Sequence, residues 1–236
     1  MTLQHQIRAI HLKPTTELAE RVLLPGDPHR ALAVASHLLD GPKMFNHTRG
    51  LWGYTGVAAD GEPLTIQSTG MGGPSAAIVT EELIALGARR LVRIGTCGAL
   101  VDDLRLGDLV AAQTVLSADG ASAALGANGA LGSDPELLER LLAAGARPGT
   151  VVTTDLFYDP RADAASGWIE RGASVVEMEA ATILQVAARR GVPAACVLAV
   201  TDVPAPGGAR RVDAEQLEEI GLRLGDAGYA ALATTR

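Results

Sequence analysis

The stretch Gly70–Leu100, GMGGPSAAIVTEELIALGARRLVRIGTCGAL, is the most organised part of the chain and indicates its fold class. Its glycine-rich turn leads into a helix that is predicted to begin near Pro74 and to have Gly87 as its C-cap. The apolar residues predicted to share one face of this helix are Ile78, Leu83 and Leu86. The segment RRLVRIG then has the composition of a buried strand, and TCGA that of a second small-residue turn.

The alternation of predicted strands and helices continues on both sides of this stretch, towards the N-terminus and towards the C-terminus. Upstream, Arg21–Leu24 is predicted to be a strand, and Asp27 caps a helix after a Pro-Gly turn. A hairpin is predicted around Asp60-Gly61. Downstream, strands are predicted at 150–154, 174–178 and 193–202, and helices at 160–171, 179–191 and from 213 onward. Strands that alternate with helices predict an α/β domain with a mixed, largely parallel central sheet.

Length and composition indicate one domain. The chain has 236 residues, which suits one large domain, and no flexible linker interrupts it. The most linker-like segment, Gly120–Asp134, is apolar enough to be an ordered loop or a short helix. Because 47% of the residues are hydrophobic and only 3% are aromatic, the core is expected to be aliphatic. We therefore predict a single domain over residues 1–236.

Charge and cysteine content narrow the function classes. A formal charge of −7 leaves no basic face for nucleic acid. The two cysteines, Cys97 and Cys196, cannot form a disulfide framework, and they show no zinc spacing with the histidines. Neither a signal peptide nor a run of membrane-spanning length is recognisable. We expect a cytoplasmic protein without a metal, a membrane partner or a nucleic-acid partner.

Polar or glycine-rich groups stand where the predicted strands end. In open α/β sheets, ligands bind beyond the carboxyl ends of the strands. The groups at such ends are Gly26-Asp27, Gly70–Gly73, Arg93–Gly98, Glu177–Glu179 and Thr201-Asp202. The sequence therefore predicts that these groups converge on one pocket.

Arginines at two of these ends suggest an anion site. Arg93 lies in a strand too apolar to face water, so it is either paired with a core carboxylate or placed to bind an anion beside Thr96. Gly26 and Arg30 are either a turn and a solvated helix residue or a second anion-binding pair. An arginine about 5 Å from an anion contributes roughly 3 kcal/mol at an effective dielectric of about 20. More distant surface acids are screened by salt, so local arginines would prevail.

Three carboxylates at the strand ends need partners, because a buried charge is costly when unpaired. Glu177 and Glu179 flank Met178 between a predicted strand and a predicted helix. Asp202 is either a turn residue or a general acid near a leaving group. The glycine clusters lack the spacing of nucleotide-binding motifs, and no GxSxG motif supports a serine nucleophile.

Seven motifs together resemble one enzyme family. They are LLPGDPHRA, FNHTRGLWGYTG, STGMGGPSAAIVTEEL, VRIGTCGAL, DLFY, VVEMEAAT and VTD, and the similarity runs from His11 to the C-terminus. In this order they resemble the hexameric nucleoside phosphorylases, chiefly the bacterial purine nucleoside phosphorylases, with uridine and methylthioadenosine phosphorylases as close relatives. The resemblance implies a three-layer α/β/α fold and a homohexamer built as a trimer of dimers. It also implies phosphorolysis of nucleosides, with inorganic phosphate as co-substrate and no cofactor.

The resemblance also implies roles for individual residues. The implied phosphate ligands are Gly26, Arg30, Arg93 and Thr96, with Arg49 from a neighbouring subunit. The implied nucleoside contacts are Cys97, Gly98, Phe157, Val176, Glu177, Met178 and Glu179, with His11 or, as the alternative, His5 from a neighbour. In this family the residue at Asp202 protonates purine N7, and an arginine in the following helix assists it. Here Arg210 or Arg211 is the substitute, and Thr201 replaces a serine.

The length of the segment between the FY and EME motifs indicates the substrate class. Uridine phosphorylases carry an insertion between the FY and EME motifs whose glutamine and arginine read uracil. Here that segment is short and contains no glutamine, which favours a purine (deoxy)ribonucleoside. Uridine or methylthioadenosine phosphorolysis is the alternative. A hydrolytic nucleosidase would not need three arginines, and a non-catalytic nucleoside-binding protein would not need Asp202 and Glu179 together.

Overall fold

In the computed structural model, residues 8–161 and 163–234 are described, and they form an α/β fold. The helices are α1 (Pro28–Leu38), α2 (Gly73–Leu86), α3 (Gly120–Ala124), α4 (Pro135–Ala143), α5 (Ala164–Glu170), α6 (Ala180–Arg190) and α7 (Ala214–Leu232), and a 3₁₀ turn covers Thr48–Gly50. The strands are β1 (Arg21–Pro25), β2 (Asp40–Asn46), β3 (Gly53–Val57), β4 (Pro63–Gln67), β5 (Arg90–Ala99), β6 (Leu109–Ala118), β7 (Ala130–Leu131), β8 (Arg147–Thr154), β9 (Val175–Glu177), β10 (Ala194–Ala205) and β11 (Gly208–Arg211).

All of these strands belong to one mixed sheet, as the alternating sequence pattern predicts. Strand β1 pairs in parallel with β4 and β5, and the β3–β4 hairpin extends the sheet on one side. Strand β5 has two further neighbours, the parallel β10 and the antiparallel β9. Because β10 continues through β6 and β8 back to β9, the strands β5, β10, β6, β8 and β9 form a closed ring.

Helices cover both faces of the sheet, which confirms the three-layer arrangement. On one face, α2 and α6 pack their small and branched residues on the sheet, among them Val79, Leu83 and Ile183. On the other face, α1, α4 and α7 pack on the sheet through residues such as Val34, Leu141 and Leu224. Both cores are predominantly aliphatic, as the composition predicts.

Most predicted elements are confirmed, and three details are corrected, the first being the predicted turn TCGA, which instead continues strand β5 to Ala99. The buried face of α2 contains Ala76, Val79 and Leu83, which follow helical spacing. Of the residues predicted for that face, Leu83 is buried but Ile78 and Leu86 are exposed. Helix α5 is shorter than the predicted 160–171. The segment Gly120–Asp134 holds α3, strand β7 and the Asp134 cap of α4, so it is ordered, as expected.

Five elements were not among those predicted from the sequence, namely β2, β6, β7, α4 and β11. The single-domain organisation stays a prediction, although every described strand joins the same sheet. Across residues 8–161 and 163–234, none of the helices combines the length and the apolar character that crossing a bilayer would require.

Candidate active site

A cavity of about 670 Å³ lies where the predicted strand ends meet. The structure brings all five predicted groups to its wall. The residues that line it are Gly26, Asp27, Pro28, Arg30, Gly70, Met71, Arg93, Gly95, Thr96, Cys97, Gly98, Thr154, Leu156, Phe157, Asp159, Trp168, Val176, Glu177, Met178, Glu179, Thr201, Asp202, Ala209 and Arg211. The cavity volume is within the range of small-molecule sites.

One end of the cavity is formed by the turns that precede α1 and α2. The Gly70 N–H donates to the Gly26 carbonyl at 3.0 Å, so the two turns are joined. A β-carbon at Gly26 would lie 3.4 Å from the Gly70 carbonyl oxygen, so the two turns are in van der Waals contact here. Asp27 caps α1 by accepting from the His29 N–H at 2.9 Å. The start of α1, which favours anions, thereby faces the cavity.

Arg30 supplies positive charge at this end. Its aliphatic stem packs on α7, where a β-carbon at Gly221 would lie 3.5 Å from Arg30 Cγ. Within the described parts of the chain, its guanidinium has neither a hydrogen bond nor an ion pair. Burial lowers the pKa of Arg30, an effect that Asp27 opposes and Arg93 reinforces. Because Arg30 forms no ion pair with a described residue, its guanidinium would attract an anion to this end of the cavity.

Arg93 is fixed beneath the cavity by two carboxylates. Its Nε donates to Glu177 Oε2 at 3.0 Å, and its Nη2 donates to Glu179 Oε2 at 2.5 Å. Burial alone would lower the pKa of Arg93, but the charges of Glu179 and Glu177 raise it. Its buried Nη1 has no hydrogen-bond partner among residues 8–161 and 163–234. Arg93 is therefore paired in the core, as one of the two interpretations predicts, and its role in binding an anion stays a prediction.

Gly95 makes room for that guanidinium. A β-carbon at this position would lie 2.6 Å from Arg93 Nη2 and 2.8 Å from Arg93 Cζ. No real contact of this kind is so short, so a side chain here would displace Arg93. Gly95 was not among the predicted site residues, although its place two residues after Arg93 on an apolar strand was visible in the sequence.

Glu177 is almost completely enclosed by protein donors. Its Oε1 accepts from Thr153 Oγ1 at 2.5 Å, and its Oε2 accepts from the Glu179 N–H at 2.8 Å and from Arg93. Both oxygens also receive the Ala180 N–H. Burial raises the pKa of Glu177, and the Arg93 charge opposes that shift. These contacts hold the first turn of α6, where backbone N–H groups lack helical partners.

Glu179 lies on the cavity side of the same turn. Its Oε1 accepts from the Gly72 N–H at 2.5 Å, which connects α6 to the start of α2. A carboxylate offers about four acceptor positions, so the contacts with Gly72 and Arg93 leave capacity for ligand hydroxyls. Met178, which lies between the two glutamates, is half-buried and also lines the cavity.

The opposite end of the cavity holds an acid with two supports. Asp202 Oδ1 forms an ion pair with Arg211 Nε at 2.5 Å, and its Oδ2 accepts from Thr201 Oγ1 at 2.9 Å. Thr201 thus provides the hydroxyl beside the acid that a serine would otherwise supply. The Arg211 guanidinium also lies 5.3 Å from the ring centre of Phe157, within cation–π range.

The structure distinguishes the two candidate arginines. Arg211 is the register partner of Asp202 in the β10–β11 hairpin and lines the cavity. Arg210 is the register partner of Val203, and consecutive strand residues point to opposite faces. It does not line the cavity. Both residues lie on a strand, whereas the resemblance implied a helix.

Part of the cavity wall, called the slot below, is formed by small and apolar residues. Its members are Cys97, Gly98, Val176, Phe157 and Trp168. A β-carbon at Gly98 would lie 3.5 Å from Val176 Cγ1, so a larger residue would narrow the slot. Burial raises the pKa of the Cys97 thiol well above its usual value, which keeps the thiol neutral.

Besides Arg210, two of the predicted site residues that the structure describes do not line this cavity. Arg49 is exposed in the 3₁₀ turn with a left-handed φ of 61°. His11 Nδ1 lies 2.7 Å from Oε1 of the buried Glu82 on α2. Both had been predicted to reach a neighbour's site, so their absence from their own cavity leaves that prediction open. His5 lies outside the described residues.

The sequence reasoning missed several residues of the site. Thr153 holds Glu177, Trp168 lines the slot, and Asp159 stands at the opening in a bidentate contact with Arg161. No group of three or more His, Cys, Asp or Glu side chains arranged for a metal occurs in the described portion of the chain.

Comparison with known proteins agrees with this site. The profile described as "Phosphorylase superfamily" matches residues 20–234. A protein named "Purine nucleoside phosphorylase DeoD-type" from Caldanaerobacter subterraneus subsp. tengcongensis is 38% identical over 210 residues, covering 85% of this chain and 90% of the relative. A protein of the same name from Alkaliphilus metalliredigens is 36% identical over 217 residues, or 87% and 92% of the two chains.

Proposed function

The chain belongs to the phosphorylase superfamily, and on that premise we propose that it cleaves the N-glycosidic bond of purine nucleosides with inorganic phosphate. The products are the free base and ribose 1-phosphate or its deoxy form. The protein is thus a pentosyltransferase, a purine nucleoside phosphorylase. The names of its relatives, which cover most of the chain, support the purine class.

The observation that carries the proposal is the arrangement of charge in the cavity. Among the residues that the structure describes, Arg30 has no ion-pair partner and the buried Nη1 of Arg93 has no hydrogen-bond partner, and both arginines line the same space as Glu179. An anion held by the two arginines would have Thr96 and the Gly26 turn beside it. A sugar held by Glu179 would lie next to that anion. Nucleophile and substrate would then be kept in contact, which removes much of the entropic cost of their encounter.

The chemistry requires charge to be balanced as the bond to the base breaks. A phosphate oxygen forms a bond to C1′ of the sugar while the C1′–N9 bond breaks and its electron pair passes to the purine. The sugar becomes cationic at C1′, and the phosphate and Glu179 supply negative charge beside it. The purine receives a proton at N7 from Asp202, which makes it a better leaving group.

Arg211 gives Asp202 a defined orientation before the reaction. Arg211 Nε contacts Oδ1 and Thr201 Oγ1 donates to Oδ2, so both carboxylate oxygens of Asp202 are held in place. Because Arg211 is largely exposed, it can move away from Asp202 towards the ring of Phe157 at small cost. The base would lie against Val176 and beside Cys97 and Gly98.

The decisive experiment measures purine release from inosine and adenosine with and without phosphate. We expect release to depend on phosphate and to yield ribose 1-phosphate. Equal rates in both conditions would identify a hydrolase, and binding without release would identify a nucleoside-binding protein. Uridine and methylthioadenosine in the same panel test the alternative substrates.

A pair of variants ties the phosphate dependence to the cavity. Arg30→Ala should weaken phosphate affinity by about 10- to 100-fold, the effect of losing a hydrogen bond to a charged group. Arg105→Ala removes an exposed arginine that does not line the cavity and serves as the matched control. An equal loss in both variants would contradict the assignment of Arg30.

We propose further that the protein is an oligomer, a homohexamer built as a trimer of dimers, whose subunits share active sites. The exposed positions of Arg49 and the half-exposed His11 ring support this, since each stands outside its own cavity. Exposed apolar side chains such as Ile10 and Met71 support an interface. Sedimentation velocity gives the assembly size. Mixing Arg49→Ala subunits with Arg30→Ala subunits should restore part of the activity, and no recovery after confirmed mixing would contradict the shared site.

We also propose that the enzyme works in the cytoplasm and needs no cofactor. Cys97 and Cys196 are both buried free thiols, which suits a reducing compartment. Prolonged dialysis against a chelator should leave phosphorolysis unchanged, and cell fractionation should recover the activity in the cytoplasmic fraction. Loss of activity that a divalent metal restores would overturn the first of these two proposals.

A further inference from the structure

Glu177 has a different environment from the carboxylate that faces the ligand space. Its side chain is 1% exposed, against 8% for Glu179. Donors from three elements converge on it: Arg93 from β5, Thr153 from β8, and the backbone N–H groups of Glu179 and Ala180 at the start of α6. Its acceptor positions are therefore taken by the protein itself.

The contacts of Glu177 determine where Arg93 points. Arg93 Nε and Nη2 are both within hydrogen-bond distance of Glu177 Oε2, at 3.0 and 2.9 Å, and Nη2 also reaches Glu179. Because guanidinium is planar and rigid, fixing Nε and Nη2 also fixes the direction of Nη1. Nη1 itself is buried and has no hydrogen-bond partner among residues 8–161 and 163–234, while Arg93 as a whole lines the cavity.

Glu177 also fixes the backbone that carries Glu179. The Glu179 N–H donates to Glu177 Oε2 at 2.8 Å, and the next N–H donates to both oxygens. Arg93 and the backbone of Glu179 are thus both held by one side chain, whose own oxygens are occupied by protein donors. Thr153 anchors Glu177 from the other side and also accepts the Ala181 N–H at 2.9 Å.

We propose that Glu177 is a positioning residue that aims Arg93 at the phosphate and Glu179 at the sugar, and is not itself a nucleoside ligand. The proposal rests on the proposed phosphorolysis. The resemblance implied that Glu177 contacts the nucleoside directly. Under this proposal Glu177 acts only through Arg93 and Glu179. The geometry of its carboxylate, more than its charge, is what phosphate binding requires.

Glu177→Asp tests this, because the charge is kept while the carboxylate retreats by about 1.5 Å, one carbon–carbon bond. Contacts near 3.0 Å would then exceed hydrogen-bond length. We expect phosphate Kd, measured by calorimetry on the full-length protein, to rise at least tenfold. The matched control is Glu82→Asp, the same change at another buried glutamate that accepts backbone N–H groups but lies outside the cavity. Its phosphate Kd should stay within about twofold of wild type, since it has no contact with Arg93.

The outcomes separate the candidate roles. A lowered melting temperature in both variants with unchanged phosphate Kd would make Glu177 a packing residue and overturn the proposal. Unchanged phosphate Kd with a tenfold loss of nucleoside affinity would make it a sugar ligand and overturn it equally. If wild-type protein binds no phosphate at all, the proposed function fails, which is a distinct result.

Two further measurements extend the test, and the first of them keeps it valid if Glu177→Asp does not fold. Thr153→Val removes the hydroxyl that holds Glu177 Oε1 with little change of volume, and it should weaken phosphate binding about threefold, a typical hydrogen-bond effect. In a double-mutant cycle, Glu177→Asp and Arg93→Lys should lose less phosphate affinity together than the sum of their separate losses. Unchanged affinity in Thr153→Val, or strict additivity in the cycle, would contradict the proposal.

Discussion

Replacing Gly95 by alanine would place a methyl group against the guanidinium of Arg93. The new β-carbon would lie 2.6 Å from Arg93 Nη2, whereas ordinary contact begins at 3.4 Å, so about 0.8 Å of movement is needed. Arg93 cannot move freely, because Glu177 and Glu179 hold two of its nitrogens. Leu198 Cδ2, at 3.0 Å, restricts the methyl group from another direction.

The magnitude follows from the contacts that such a movement would break. A hydrogen bond to a charged group contributes about 1.5–3 kcal/mol, so a misdirected Nη1 should weaken phosphate binding by roughly 10- to 100-fold. Overpacking in a filled core costs a further ~1–3 kcal/mol of folding free energy. Gly95 does not have a left-handed φ, so backbone strain does not contribute.

Phosphate titration calorimetry and thermal unfolding measure the two effects separately. The matched control is Gly167→Ala in α5, where an added β-carbon meets nothing within 4 Å. That variant should keep wild-type phosphate affinity and gain up to about 1 kcal/mol of stability from the better helix former. A Gly95→Ala protein with phosphate affinity close to that of wild type would refute the reasoning that Arg93 needs its observed position.

Other predictions concern the acid, its arginine and the stability of the fold. Asp202→Asn should lower kcat by about 10²- to 10⁴-fold in steady-state assays, and a tenfold or greater loss of phosphate affinity in that variant would show that Asp202 is wrongly placed. Arg211→Ala should lower kcat by about tenfold or more, whereas Arg210→Ala, whose side chain does not line the cavity, should leave it nearly unchanged; equal effects would contradict the structural distinction. Asp60, whose pKa the bidentate contact with Arg21 holds far below its usual range, stabilises the protein above the unfolded pKa of about 3.9. The melting temperature should therefore fall as pH drops below about 5. Asp60→Asn should lower the free energy of unfolding by about 3–5 kcal/mol at pH 7, and its melting temperature should fall less on acidification than that of wild type. An acid response equal to that of wild type would contradict this.

The sequence pattern predicted the local elements and the meeting of strand ends, because both follow from short-range signals. Asp27 before Pro28, for example, marks the start of α1 in sequence and structure alike. The same signal, Asp134 before Pro135, marks α4, which was not predicted although its apolar spacing was visible. Helix α4 could therefore have been predicted from its local sequence.

Other features could not follow from local sequence, because they depend on contacts between distant segments. The sequence indicated that Arg93 needed a carboxylate or an anion. It did not show that Glu177 and Glu179 would both pair with Arg93, or that its Nη1 would have no hydrogen-bond partner among the described residues. Likewise, Gly95 has no distinctive neighbours in sequence, and only the folded position of the Arg93 side chain explains it. The choice of Arg211 over Arg210 depended on the register of β11 against β10.

The short strand β9 affects how readily variants of this protein would aggregate. Through two to three residue pairs on each side, it closes the ring between β5 and β8. If β9 were displaced, two rows of backbone hydrogen-bonding groups would become free at once, and free strand edges promote aggregation. Substitutions that loosen this strand should therefore reduce solubility and turnover together, so inactive variants of this region are best judged only after their solution state has been checked.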